Sequence, residues 1–269
     1  EWIELSTWDA RVRRLAAPSP FTDSIRLILI DQSSLDWADD SLKLSWPWPR
    51  EAYAPILAFC RRGGARAVVF DMIYSEPSVH GVADDEVFGA GIAAMQPFVG
   101  TVWLDHTKGN TNNWPETVPR PTMQSGKRTE EWPDWTADLA MQSASFPIPH
   151  VATQATLLAT VNASPDPDAI VRRIAPFHVF DATIVPSLGL AAWLAYNTNA
   201  ALVIKPDSLW IGPASQTVPM PAATATPQVA ATAAFEPERV AVPNFVGSQS
   251  TDVVKAAELL GIRLTFKDR

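Results

Sequence analysis

Apolar positions along the chain fall into two kinds of pattern, spaced and continuous. From residue 2 to residue 15 they recur every three or four residues (Leu5, Trp8, Val12, Leu15), which predicts an amphipathic helix. Ala16-Ala17-Pro18-Ser19-Pro20 breaks it. Residues 25–30 are a continuous apolar run interrupted by Arg26, which predicts a buried strand carrying Asp31 at its C-terminal end. Ser33 or Ser34 is placed to cap a short helical turn before Trp37. The block Trp46-Pro47-Trp48-Pro49-Arg50 follows, then a helix over 51–62 stopped by Gly63-Gly64, then a second apolar run over 65–70 ending at Asp71. Strand, helix and strand in this order predict a βαβ unit with parallel strands. A helix over 84–95 and a strand over 97–104 extend it. The fold class expected is α/β: a mostly parallel central sheet flanked by helices, with an N-terminal helix and an irregular middle excursion.

The second half is less regular. Residues 105–150 carry Gly, Asn, Pro and Trp in an extended excursion with few elements. A strand is expected over 156–161 and a strand pair over 170–179, bearing Arg172 and Arg173. A helix is expected over 187–196, with Pro186 near its start. Residues 201–205 and 208–211 read as a hairpin turning at Lys205-Pro206-Asp207. Residues 213–238, rich in Pro, Ala and Thr, read as a loop. One more strand (240–246) and a helix (251–260) end the pattern. The organisation expected is a helix and linker over 1–20 and a single α/β domain over 21–269.

Composition narrows the function. The net charge of −8 argues against a nucleic-acid partner, which would meet a basic face. The single cysteine, Cys60, allows no internal disulfide, and its apolar setting reads as a small buried hydrophobe. No run approaches the ~18 apolar residues of a membrane span. The chain opens without methionine, basic start or apolar core, so a piece of a longer protein is expected, with any membrane anchor outside it.

Asp31 and Asp71 each follow a predicted buried strand. In an open parallel sheet, ligands bind beyond the C-terminal ends of the strands. Glu76, Asp84 and Asp85 follow closely, and such oxygens suit a hard cation, Mg²⁺ or Ca²⁺, with Asp31 and Asp71 as its ligands. The competing reading makes each Asp a helix cap or loop organiser; for Asp84, at a helix start, it is preferred. Arg50 lies in the first turn of a predicted helix, where the dipole disfavours a cation. It therefore calls for a partner: Asp31, Asp71 or a ligand anion, or a core-edge carboxylate with its guanidinium on Trp48. Trp46 and Trp48 are assigned to the core. His80, His106, His150 and His178 are scattered without metal-ligand spacing. No Gly-x-Ser-x-Gly elbow or phosphate-binding glycine turn is present, so no catalytic set is assigned.

The order of motifs resembles that of the CHASE2 (CHASE type 2) domains, extracytoplasmic sensors of bacterial adenylate cyclases, histidine kinases and Ser/Thr kinases. The resemblance runs through Asp9-Ala10-Arg11-Val12-Arg13, Ile30-Asp31, the block at 46–50, and Gly64-Ala65-Arg66-Ala67-Val68-Val69-Phe70-Asp71 with Ser75-Glu76-Pro77. It continues through Asn162, Asp166-Pro167-Asp168, Val171-Arg172-Arg173, Pro186-Ser187-Leu188 and Asn244-Phe245-Val246-Gly247. Ala169 stands where the family has glycine, so a different turn is expected there. Trp46, Trp48, Arg172 and Arg173 are its structural signature.

The resemblance implies a non-catalytic ligand-sensing domain of a membrane-anchored receptor, on the periplasmic face of the inner membrane and working as a homodimer. Helix 2–15 would be its juxtamembrane stalk and a cytoplasmic cyclase or kinase its output. It also implies a core strand beyond residue 269. The ligand, a small molecule or ion, would meet Asp31, Arg50, Asp71 and Glu76. Two other roles stay open: a metal-dependent hydrolase using Asp31 and Asp71, for which no general base is evident, and a dimerising or protein-docking ectodomain.

Overall fold

Helix α1 (Trp2–Leu15) forms over the span its periodicity predicts, with Arg13 and Arg14 in the last turn, where cations complement the helix dipole. The C-terminal half of its apolar stripe is exposed, Val12 at 47% and Leu15 at 76%, while Leu5 and Trp8 are half-buried. The computed structural model describes residues 2–16, 24–121, 134–172, 174–197, 200–204, 208–213 and 218–221. The expected elements at 240–246 and 251–260 lie outside the described residues, as do Arg173 and the turn at 205–207. The chain divides into two units, with the boundary between Trp46 and Pro47.

In the first unit, residues 25–30 are extended but form no strand. This corrects the expectation of a buried strand. Ile25 and Leu27 are 66% and 72% exposed, and Ile28 and Leu29 are exposed as well. A continuous apolar run becomes a buried strand only where a neighbouring strand supplies a ladder, and no partner strand is present among the described residues. Helix α2 (Gln32–Trp37) follows, capped by Asp31, and passes into a π-helical turn (Ala38–Leu42) that ends at Lys43 with φ 58°.

The second unit holds all the described strands. A 3₁₀ turn (Arg50–Ala52) leads into α3 (Tyr53–Arg62). Gly64, at φ 75°, supplies the left-handed residue that ends the helix, and Ala65 N–H reaches back to the Cys60 carbonyl at 3.0 Å. Strand β1 (Val68–Val69), helix α4 (Val82–Ala94) and strand β2 (Phe98–Asp105) make a parallel βαβ unit. It stands one element later than the pattern suggested. Strand β5 (Leu157–Thr160) pairs parallel with β2, and the short β4 (Ser143–Ser145) pairs antiparallel with its end.

Alternation along β2 sets the layers. Val99 joins Ala159, Ala191 and Ala195 under helix α6 (Leu188–Tyr196), whose small residues let it lie close on the sheet. Phe98 points the other way, into a cluster with Phe70, Phe88, Tyr53 and Tyr74 between the sheet and helices α3 and α4. Phe88, Phe98, Leu57 and Ile92 are fully buried, and each such side chain stabilises by about 1.5–3 kcal/mol. The face of α4 is fitted closely. A β-carbon at Gly89 would stand 2.8 Å from the His150 carbonyl oxygen, in the one-turn helix α5 (Pro149–Ala152).

The fold class is therefore mixed α/β. Parallel pairing holds around β2, but the molecule's sheets combine both directions, because the second half contributes hairpins. Strands β3 (Ala140–Met141), β6 (Phe177–Phe180) and β7 (Thr183–Pro186) form a mixed sheet, with β6 and β7 joined by Asp181 and Ala182 at φ 44° and 56°. Two positive φ angles suit the twist of a two-residue hairpin. The strand pair expected over 170–179 thus lies later, at 177–186. Strands β8 (Ala200–Ile204), β9 (Ser208–Pro213) and β10 (Val218–Pro221) form an antiparallel sheet. The first two are the predicted hairpin; β10 falls inside the stretch read as loop.

The middle excursion is ordered by side chains. Asp181 accepts from Trp114 N–H at 2.8 Å and pairs with Arg120 at 2.8 Å. The Trp114 backbone N–H, and then Arg120, hold the Asp181 carboxyl below its ordinary pKa. Trp114 itself is buried edge-on against Phe146. A second loop closes on Arg172, whose side chain is 4% exposed. It pairs with Asp166 at 3.0 Å and with both carboxylate oxygens of Asp168. Arg172 pulls the Asp168 pKa down to about 2. Ala169 sits in this loop at φ 63°. A non-glycine residue thus occupies a left-handed position in this turn, with Asp166 and Asp168 before it both paired to Arg172.

Candidate functional site

The residue that organises the rim of the second unit is Arg50. Its Nη1 meets Asp85 Oδ1 at 2.5 Å and its Nη2 donates to the Glu76 carbonyl. Its guanidinium carbon lies 5.1 Å from the centre of the Tyr74 ring. The side chain is 12% exposed and that of Asp85 3%. The core-edge carboxylate expected for Arg50 is thus Asp85, and the ring beneath it is Tyr74 in place of Trp48. Trp48 is half-buried beside Tyr53, with ring centres 6.4 Å apart. Trp46 is 51% exposed, which corrects its assignment to the core.

Asp84 completes the node. It accepts from the backbone N–H of Arg50 at 2.8 Å and of Glu51 at 2.6 Å, and from the Ser78 hydroxyl. Burial alone would raise its pKa, but these bonds outweigh burial and hold the carboxyl below its ordinary value. Asp84 therefore caps the turn that begins α3 from across the structure. Ser78 N–H binds Asp85 Oδ2 at 3.1 Å, so the loop after β1 is tied to both helices.

The other candidate residues are placed differently. Asp31 Oδ1 accepts from Ser34 N–H and Ser34 Oγ, both at 2.9 Å, and acts as the N-cap of α2. Ser34 is the partner of that cap and not the cap itself. Asp71 is exposed in the loop that follows β1. The structure brings Arg50 and Glu76 together. Among the described residues, no group of three or more His, Cys, Asp or Glu is placed to hold a metal ion. Cys60 is half-buried, and burial pushes its thiol pKa up to about 11, so it is a protonated thiol at neutral pH.

Beside the Arg50 node opens a cleft of about 610 Å³, lined by Ser75, Glu76, Trp103, Asp105, Lys108 and Asn110, with Gly109 and Ser145 completing its wall. It lies at the C-terminal end of β2, where a parallel sheet offers its ligand position. Sequence reasoning found Glu76 and missed the rest. One signal was available: Trp103 is 39% exposed in a strand whose first five residues are all buried.

The walls are fixed. The Thr101 hydroxyl donates to the Met72 carbonyl at 2.6 Å, and Ile148 N–H donates to the Tyr74 carbonyl at 2.8 Å. Asp105 Oδ1 accepts from Thr107 N–H at 2.8 Å and Lys108 N–H at 2.9 Å, which lowers its pKa. Asn110 N–H binds the Ala144 carbonyl at 2.9 Å. Pockets of this size, largely pre-formed, are those that take small molecules.

The second unit is thus a mixed α/β fold with a polar cleft at the C-terminal end of β2. The chain belongs to the CHASE2 domain family, whose model matches residues 1–269. The family comprises extracytoplasmic sensor domains of signalling receptors; it is sensory and not catalytic. No curated protein and no solved structure matches the chain. No helix among the described residues is long and apolar enough to cross a membrane.

Proposed function

We propose that this chain is the periplasmic ligand-sensing domain of a receptor anchored in the bacterial inner membrane, regulating a cytoplasmic cyclase or kinase. The observation that carries the reading is the Arg50 node. It joins the cleft wall at Glu76 to the starts of α3 and α4, so a ligand that moves residues 75–76 acts on both helices at once. Such coupling needs a difference in ligand affinity between two states of the domain. Helix α1 is the stalk towards the membrane. Its exposed Val12 and Leu15 support a homodimer packed along that stripe.

Glu76 is the direct ligand contact in this reading, and Arg50 positions the wall. Asp31 is a helix cap. An ion ligand is the competing case: Mg²⁺ or Ca²⁺ held by Asp71. Calorimetric titration of the domain with each cation, repeated on Asp71→Ala, decides between them. Heat that disappears in the variant favours the ion; heat unchanged in the variant removes Asp71 from the site. Topology is tested in cells carrying the membrane-anchored protein. Protease added to spheroplasts is expected to digest this domain while a cytoplasmic marker survives. Protection of the domain would overturn the receptor reading.

A further inference from the structure

The cleft combines one aromatic face with a particular set of polar groups. Trp103 offers its ring from β2. The other lining residues are Glu76 and Asp105, which are acidic, Lys108, which is basic, Asn110, which carries an amide, and the hydroxyl residues Ser75 and Ser145. Two carboxylates against one ammonium disfavour an anion such as a phosphate. Lys108 in turn repels an organic cation, which would otherwise suit the indole. A neutral ligand rich in hydroxyls fits both signs. Its O–H groups donate to Glu76 and Asp105 and accept from Lys108 and Asn110, and its C–H face stacks on the indole.

We propose that this cleft takes a saccharide, with Trp103 as the stacking platform; the inference rests on the receptor reading above and names its ligand class. The cleft's volume of about 610 Å³ lies inside the ~300–1,000 Å³ range of small-molecule sites. The loop that carries Lys108 and Asn110 cannot drift from β4. A β-carbon at Gly109 would stand 2.4 Å from Ser143 Oγ and 2.6 Å from the Ala144 carbonyl oxygen, so this glycine lies directly on the strand. Thr111 and Ala144 exchange backbone hydrogen bonds at 3.2 and 2.9 Å just beyond it. A loop backbone held this way need not be ordered when a ligand binds.

The test is calorimetry on the 269-residue chain with cellobiose, maltose and N,N′-diacetylchitobiose, and with choline and inorganic phosphate as counter-probes. At least one disaccharide is expected to bind. Trp103→Ala is expected to weaken it by about tenfold or more, and Trp103→Phe by no more than about threefold. Asn110→Ala, on an exposed loop, is expected to weaken it severalfold and serves as the second variant if Trp103→Ala does not fold. Heat from none of the three disaccharides overturns the proposal. So does disaccharide binding unchanged in Trp103→Ala or, where that variant does not fold, in Asn110→Ala, and so does Trp103-dependent binding of choline or phosphate instead. Failure here with a protease-accessible domain in spheroplasts sinks the sugar and leaves the receptor. A protected domain that still binds a disaccharide through Trp103 does the reverse.

Discussion

Ala169 carries a conformation that its side chain resists. A non-glycine residue in the left-handed region costs about 1–2 kcal/mol, less where neighbouring contacts hold it. Arg172 bridging Asp166 and Asp168 does the holding. Ala169→Gly is therefore expected to raise stability by about 1 kcal/mol, read as a higher urea midpoint with an unchanged slope. His178 makes the opposite demand. It is 7% exposed in β6, and burial, then the nearby charge of His106, push its pKa down to about 4 from an ordinary 6.5. The folded state thus binds fewer protons than the unfolded chain. The stabilisation from the neutral ring is fully present above pH 6.5 and is lost as pH falls from there towards about 4. The loss amounts to up to about 3 kcal/mol. Urea unfolding at pH 7 and pH 4.5 should show a drop that His178→Asn reduces. An equal drop in the variant would assign the acid sensitivity to the carboxylates.

At the scale of elements, α4 shows how a helix is specified by what it lacks. Gly89 lets α5 approach, and Gly89→Ala is expected to cost about 1–3 kcal/mol by forcing the His150 carbonyl outward. Gly189 in α6 meets nothing within 4 Å, and Gly189→Ala is expected to stabilise by up to about 1 kcal/mol. Paired denaturation curves of the two variants check both signs. The helices were legible because periodicity and terminators agree: 2–15, 51–62 and 187–196 each match an observed helix closely. Strand β2 was legible because every early residue is apolar or small. The run 25–30 was not, because the same composition describes a buried strand and an exposed extended segment; what separates them is a partner chain of hydrogen bonds that no local pattern encodes. The hairpin turn at Asp181 and Ala182 was hidden for a different reason. Asp181 is a residue such turns favour, but Ala182 stands where they usually advertise glycine. The cleft escaped because it is assembled from residues 75–76, 103–110 and 145, which only the pairing of β2 with β4 brings together. Arg50 was flagged correctly as a cation in need of a partner, since the helix-dipole argument is local. Its partner, 35 residues away, is not.

For the whole molecule, the proposal of a homodimer turns on the exposed Val12 and Leu15 of α1. The chain is expected to self-associate through it, and Val12→Glu with Leu15→Glu is expected to return it to monomer in sedimentation velocity without changing the helical signal. A monomeric parent protein would remove α1 as the dimer contact. The Arg50 node and the cleft divide labour within the second unit: one fixes the wall, the other faces outward. Gly109 makes that division heritable. Any larger residue at that position collides with the backbone of Ala144, so the loop's path is closed to variation. Lys108 and Asn110 on either side are exposed and free to change without disturbing it. On the proposed reading, such a frame lets detection diverge by drift at two or three surface positions, and a library randomised at 75, 108 and 110 with Gly109 held constant is the place to look for new specificities.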